Sequence, residues 1–209
     1  MAYNHGVRTL ENPTSLATPI TGTAGLQVVV GVAPVNMADD PYSCTNTPML
    51  AYSFAEASAA VGYNDDFANY NICESIDASF RVTNVAPIVL INVLDPKKHA
   101  KDFGEEEFQV VNGQAKVTIK GILPDKLIVK HGTAKLENDD YIITFDSDGN
   151  AIITILSVLA QPGGNTIKVS GKKIAPEMVT KNEIIGSYNA ETGEETGLEV
   201  IRQVFPKLG

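Results

Sequence analysis

Apolar side chains change their spacing from one segment of this chain to the next, and those changes divide it. Residues 1–25 carry isolated apolar positions, Val7, Leu10, Leu16 and Ile20, among Thr, Ser, Pro13, Pro19, Gly22 and Gly25. No helical or alternating period joins them, and Pro and Gly at this density break regular elements, so the segment reads as an extended arm. Such an arm either stays disordered or lies as an added strand on a neighbour's sheet edge.

From residue 26 the pattern becomes strand, helix, helix, strand. The run Leu26-Gln27-Val28-Val29-Val30-Gly31-Val32 is almost continuously apolar between Gly25 and Pro34, as a strand buried on both faces requires. Leu50, Phe54, Ala57 and Val61 recur at helical spacing, with Thr47 and Pro48 placed to start the helix and Gly62 to stop it. A second helix is predicted over 67–80, where Ile72, Cys73, Ile76 and Phe80 share a face and Asp66 is placed to cap. Another apolar run, 88–94, ends at Asp95-Pro96. Strand, helices, strand implies a right-handed crossover between parallel strands.

Residues 101–185 switch to period two, with Lys and acidic residues alternating with Val, Ile and Leu. Asn112-Gly113 between 107–111 and 114–120 is the strongest short hairpin signal, because both turn residues must adopt φ > 0. Asp146-Ser147-Asp148-Gly149 joins 141–145 to 151–156 in the same way, and 127–130, 133–136 and 165–170 supply further short strands. An antiparallel sandwich or barrel follows. From Gly186 the alternation stops, and Leu198, Val200, Ile201, Val204 and Phe205 have the spacing of the first turns of an amphipathic helix.

The predicted class is therefore α+β: an arm (1–25), a partial α/β unit of order βααβ (26–100), an inserted antiparallel β domain (101–185), and a return linker with the start of a helix (186–209). Two parallel strands offer little sheet to pack on, so the reading expects either a fragment or a chain completed by a partner.

Composition removes several function classes. The 209 residues are 44% hydrophobic and 20% charged, an ordinary globular balance. Sixteen Lys and Arg against 25 Asp and Glu give net charge -9, which argues against binding by phosphate neutralisation, so no nucleic-acid partner is expected. The longest apolar runs are too short to span a bilayer, and the N-terminus lacks a signal peptide's apolar core, so no membrane insertion is expected. Two separated cysteines, Cys44 and Cys73, fit a reduced chain made in a cytoplasm.

Candidate chemistry is sparse. The glycines at 22, 25 and 31 surround a strand rather than follow it into a helix, so they mark turns and not a dinucleotide site. Asp146-Ser147-Asp148-Gly149-Asn150 departs from the calcium-loop spacing and lies between strands, where a hairpin turn explains it. His5, His99 and His131 have no ligand at zinc spacing and read as lone surface residues. Gly104-Glu105-Glu106-Glu107 and Glu194-Glu195 read as solvated polar joints. No catalytic residue, cofactor or metal site is expected, and the chain does not read as an enzyme.

The residues point instead to a family. His5-Gly6-Val7-Arg8, Glu11-Asn12-Pro13-Thr14-Ser15 and the run from Ile20 through Gly31 resemble the N-terminal part of contractile phage tail sheath proteins. The likeness continues through Ala33-Pro34-Val35-Asn36, Leu50-Ala51-Tyr52-Ser53-Phe54-Ala55-Glu56-Ala57, Asp77-Ala78-Ser79-Phe80 and Asn84-Val85-Ala86-Pro87 to Asp95-Pro96. Members of that family are longer and return to the α/β domain after an outward-facing β insertion.

The resemblance implies a structural subunit that polymerises around a tail tube and contracts to drive the tube through the host envelope. Its partners would be other sheath subunits, the tube protein, the baseplate and the tail terminator, in a virion tail or phage-derived particle synthesised in a bacterial host cytoplasm. It also moves the reading of the arm towards strand exchange between subunits, through Val7, Arg8, Leu10, Leu16 and Ile20.

Two other classes compete. An exposed β module of a tail particle could recognise a receptor or glycan, but 101–185 offers Phe108, Tyr141 and Phe145 and no Trp. A small α/β enzyme would need a pocket with convergent titratable groups.

Overall fold

A computed structural model of the chain describes residues 25–156 and 166–204. It is mixed α+β, with two sheets and short helices. The arm side chains Val7, Arg8, Leu10, Leu16 and Ile20 lie outside the described residues.

The first sheet has three strands in the order β1-β3-β2. β1 (Gln27–Gly31) and β3 (Ile88–Asn92) are parallel, with Gln27 opposite Ile88 and Gly31 opposite Asn92. All five residues of β3 are buried, which is why the sequence there is apolar without alternation. The third strand corrects the sequence reading. Pro48–Ala51, expected to open a helix, is β2, antiparallel to β3 with Ala51 opposite Ile88. Met49 packs into the core on one face of this sheet and Leu50 into that on the other, a strand's alternation.

The first helix, α1 (Phe54–Val61), starts only after Ser53, whose Oγ accepts the Glu56 amide, while the Glu56 carboxylate accepts the Tyr52 amide at 2.9 Å. The second helix also starts later than expected. Residue 66 does not cap it: its carbonyl accepts the amides of Asn69 and Tyr70 and closes a turn ahead of α2 (Asn71–Asp77). Asn71 Oδ1 accepts the Val32 amide at 2.8 Å and so pins α2 to the end of β1. A short π-helical turn, Ala78–Val82, follows and contains Phe80.

The second sheet has seven antiparallel strands, not two facing layers. Its order is β7-β6-β10-β4-β5-β9-β8, with β4 (Ala100–Val111), β5 (Gln114–Val117), β6 (Ile128–His131), β7 (Ala134–Lys135), β8 (Tyr141–Phe145), β9 (Ala151–Ile155) and β10 (Thr166–Ile174). The hairpin after β4 turns on Asn112 (φ 51) and Gly113 (φ 78), the geometry that this residue pair selects. A register shift between Val169 and Gly171 bends β10 against β4. The sheet curls into a half-barrel, so that side chains from both ends, Val129 and Leu136 with Tyr141 and Ile155, share one core. A second layer is unnecessary because curvature already covers the apolar face.

The two units pack together. Leu123 and Ile174, from the antiparallel sheet region, are buried in the core formed by α1, α2 and the small sheet. Tyr42 Oη donates to the Asp125 carboxylate at 2.8 Å across the same boundary. After α3 (Lys181–Ile185) the chain forms a 3-10 helix, Gly197–Gln203, in place of the expected α-helix. Val200 and Val204 from this segment bury against Val89 and Ile91 and cover the other face of the small sheet, while Leu198 stays exposed.

Candidate functional site

The arm joins the body at β1, and the free edge of this strand is the first candidate site. Gly31 C=O accepts the Val93 amide at 2.8 Å, so alternation along the strand turns the peptide groups of Gln27, Val29 and Gly31 towards β3 and those of Val28 and Val30 away from it. No strand among the described residues pairs with that outer side. Val28, Val29 and Val30 are only partly buried, and neither a charge nor a proline interrupts them. Proteins ordinarily guard such an edge with Lys, Pro or a bulge. Among the described residues no Lys, Pro or bulge guards this edge, where β-propensity is highest.

The opposite end of the small sheet carries a polar junction. His99 is buried, contrary to the expectation of a surface histidine. Its Nδ1 accepts the Asp95 amide at 2.9 Å, which leaves Nε2 as the protonated nitrogen of the neutral ring, 2.9 Å from Glu183 Oε1. The Glu183 carboxylate also accepts the Thr180 amide and hydroxyl through Oε2 at 2.8 and 2.9 Å, completing a capping box. Hydrogen bonds from Thr180 first, and from His99 after them, hold this carboxyl below its ordinary range. Beside the pair lies a polar cavity of about 340 Å³ lined by Asn46, Asp95, Lys98, Glu194 and Thr196 among others. Both ring nitrogens of His99 are engaged, so it offers this cavity no free base. His131 is also buried.

The remaining candidates resolve into structure. Asp146 accepts hydrogen bonds from the Asn150 amide and side chain and pairs with Lys116 Nζ at 2.7 Å. Lys120 Nζ donates to the Asp148 carbonyl of the same turn. The Asp146 carboxylate thus meets the Lys116 ammonium group, and among the described residues no His, Cys, Asp and Glu cluster that could hold a metal ion is found. Glu105, placed by sequence in a polar joint, is inside β4 and bridges Lys130 at 2.7 Å and Lys168 at 3.2 Å. Cys44 and Cys73 are unbridged, and burial pushes their thiols up to about 11 and about 12. Buried and raised, they lack the exposed, electropositive setting of a reactive thiolate.

Tyr141 is buried in the curled sheet's core, and Phe108 and Phe145 are partly buried against it. No described helix is long and apolar enough to cross a membrane.

The sequence reading missed the His99–Glu183 pair and the hydrogen bond that the Gly197 amide donates to Asn46 Oδ1 at 2.8 Å. Thr180-x-x-Glu183 is legible as a capping box, but nothing local announces its histidine partner 84 residues earlier. No family model, no curated protein and no solved structure matches this chain.

Proposed function

We propose that this chain is a structural subunit of a contractile tail sheath, an assembly protein and not an enzyme. The unguarded β1 edge carries the reading. A helical assembly needs one donor and one acceptor surface on the same chain, repeated by a heterologous contact. The outer peptide groups of Val28 and Val30 supply an acceptor. The arm supplies a donor, with Val7, Arg8, Leu10, Leu16 and Ile20 as its side-chain anchors. The resemblance of residues 5–96 to tail sheath proteins supports the same assignment.

In this reading the small sheet and its helices form an α/β unit facing the tail tube, interrupted by the antiparallel β unit, which faces outward. Flexible strand exchange keeps neighbouring subunits connected while rigid units rotate, and contraction moves the assembly from a trapped packing to a more stable one. The partners are other copies of the chain, the tube protein, the baseplate and the tail terminator, in a virion tail or phage-derived particle.

Electron microscopy of tail particles from the source, labelled with antibodies against residues 101–185, tests the proposal. Regular label along the whole tail, extended and contracted, is expected. Label confined to a tip or fibre would replace the sheath reading with that of a receptor-binding module.

A further inference from the structure

A cavity of about 320 Å³ lies where the two units meet. One wall comes from the segment 36–42, the other from Pro124, Asp125 and Phe145. Both walls are held. The Asp39 amide donates to the Ala59 carbonyl of α1 at 2.9 Å, and the Leu123 amide donates to the Lys172 carbonyl of β10 at 3.0 Å. The Tyr42 hydroxyl, bonded to Asp125, closes the frame between them. A pocket formed in advance keeps the cost of binding low.

One lining residue departs from what packing alone needs. Asn36 is 3% exposed, yet neither its Oδ1 nor its Nδ2, both shut off from water, has a hydrogen-bond partner among the described residues. Buried polar atoms are almost always satisfied. An amide with both atoms unbonded loses its hydration without compensation, and a leucine of similar shape would be free of that penalty.

The Asn36 amide reaches a partner by turning into the cavity that it lines. One donor and one acceptor side by side call for the converse pair on a single edge of the ligand, as a primary carboxamide or a lactam offers. A trans peptide group does not match, because its N–H and C=O point apart.

The other lining residues set the rest of the ligand. Met37, Pro41, Tyr42, Pro124 and Phe145 supply apolar and ring surfaces, which suit a flat ring. Lys126 pairs with Asp125 at 3.0 Å, whereas Asp39 has no ion pair among the described residues, so a phosphate or carboxylate on the ligand is repelled.

We infer that this cavity binds a small, uncharged planar ring carrying a carboxamide or lactam edge, and that Asn36 reads that edge. The inference does not rest on the sheath reading.

Benzamide is the probe, titrated into the isotopically labelled full chain and followed by the NMR signals of the Asn36 side-chain amide. A saturable shift is expected, in the millimolar range or tighter for so few ligand atoms. N,N-dimethylbenzamide, which has lost the donor, and benzoate, which has gained a charge, should each bind at least tenfold more weakly. Asn36→Leu is expected to be at least as stable as the parent chain to chemical denaturation and to bind benzamide at least tenfold more weakly. The absence of a saturable shift, or equal binding of benzamide and its dimethyl form, overturns the inference, as does undiminished binding to Asn36→Leu. The comparison of the three ligands uses the unaltered chain, so it is decisive even if Asn36→Leu does not fold.

Discussion

His99 Nε2 lies 2.9 Å from Glu183 Oε1, and this pair ties together the two chain segments that cross between the units. Residue 99 immediately precedes β4 and Glu183 lies beyond the end of β10, so this contact joins the segments that lead into and out of the antiparallel unit. The Ala175 amide reinforces it by donating to the His99 carbonyl at 2.8 Å. Removing the imidazole orphans the Asp95 amide and opens a cavity under α3. His99→Ala is expected to cost about 2–4 kcal/mol and Glu183→Gln about 1 kcal/mol, read by chemical denaturation at pH 7. Losses below about 0.5 kcal/mol for both would show that the crossing is held elsewhere.

Acid should destabilise the fold through its paired carboxylates. Burial opposes ionisation of Asp146, but hydrogen bonds from Asn150 and Lys116 outweigh it and hold the carboxyl far below its ordinary range. Glu183 is also lowered, chiefly by Thr180. A depressed folded pKa gives stability that is complete above the unfolded value, near 4, and is lost as pH falls below it. Stability from carboxylates is therefore expected to be flat from about pH 6 to 8 and to decline below about pH 4.5. Asp146→Asn should be less stable at pH 7 and show a shallower decline between about pH 5 and 3. An unchanged slope would remove Asp146 from the acid response.

Blocking the β1 edge should separate assembly from folding. The Val28 amide points away from β3, so Val28→Pro removes no bond of the β1–β3 ladder. Folding stability is expected to drop by about 1–2 kcal/mol, from lost side-chain burial. On the proposed sheath function, incorporation into tails should fall at least tenfold, measured by complementation and electron microscopy. Normal incorporation would exclude this edge as the acceptor.

The 197–204 segment should contribute to the stability of the small sheet. Val200 is fully buried against Val89 and Ile91, and Asn46 Oδ1 accepts the Gly197 amide at 2.8 Å to anchor the segment's start. Val200→Ala is expected to cost about 2 kcal/mol in thermal or denaturant unfolding, by transfer and cavity terms together. A neutral result would mean that the sheet's second face needs no cover.

The extent to which each element could be read follows from the range of the interaction behind it. The parallel pair β1 and β3 is written in two continuous apolar runs, and the Asn112-Gly113 turn in its own dihedral requirement. Both are local. At Pro48–Ala51 the apolar spacing fits a helix continuing to Val61 as well as a strand ending at Ala51, and only the presence of β3 alongside selects the strand. Likewise His99 is a polar residue in a polar stretch until α3 is brought beside it.

By itself, then, the sequence determined the α+β class, the parallel pair, the β hairpins and the absence of any known metal or nucleotide motif, because periodicity and turn stereochemistry act over a few residues. Tertiary structure alone decided that the antiparallel strands close into one curled sheet, that β2 is a strand, that His99 is buried on Glu183, and that β1 lies at a sheet edge with no further strand partner among the described residues. Those outcomes depend on which surfaces meet across tens of residues, and burial is decided only when they do.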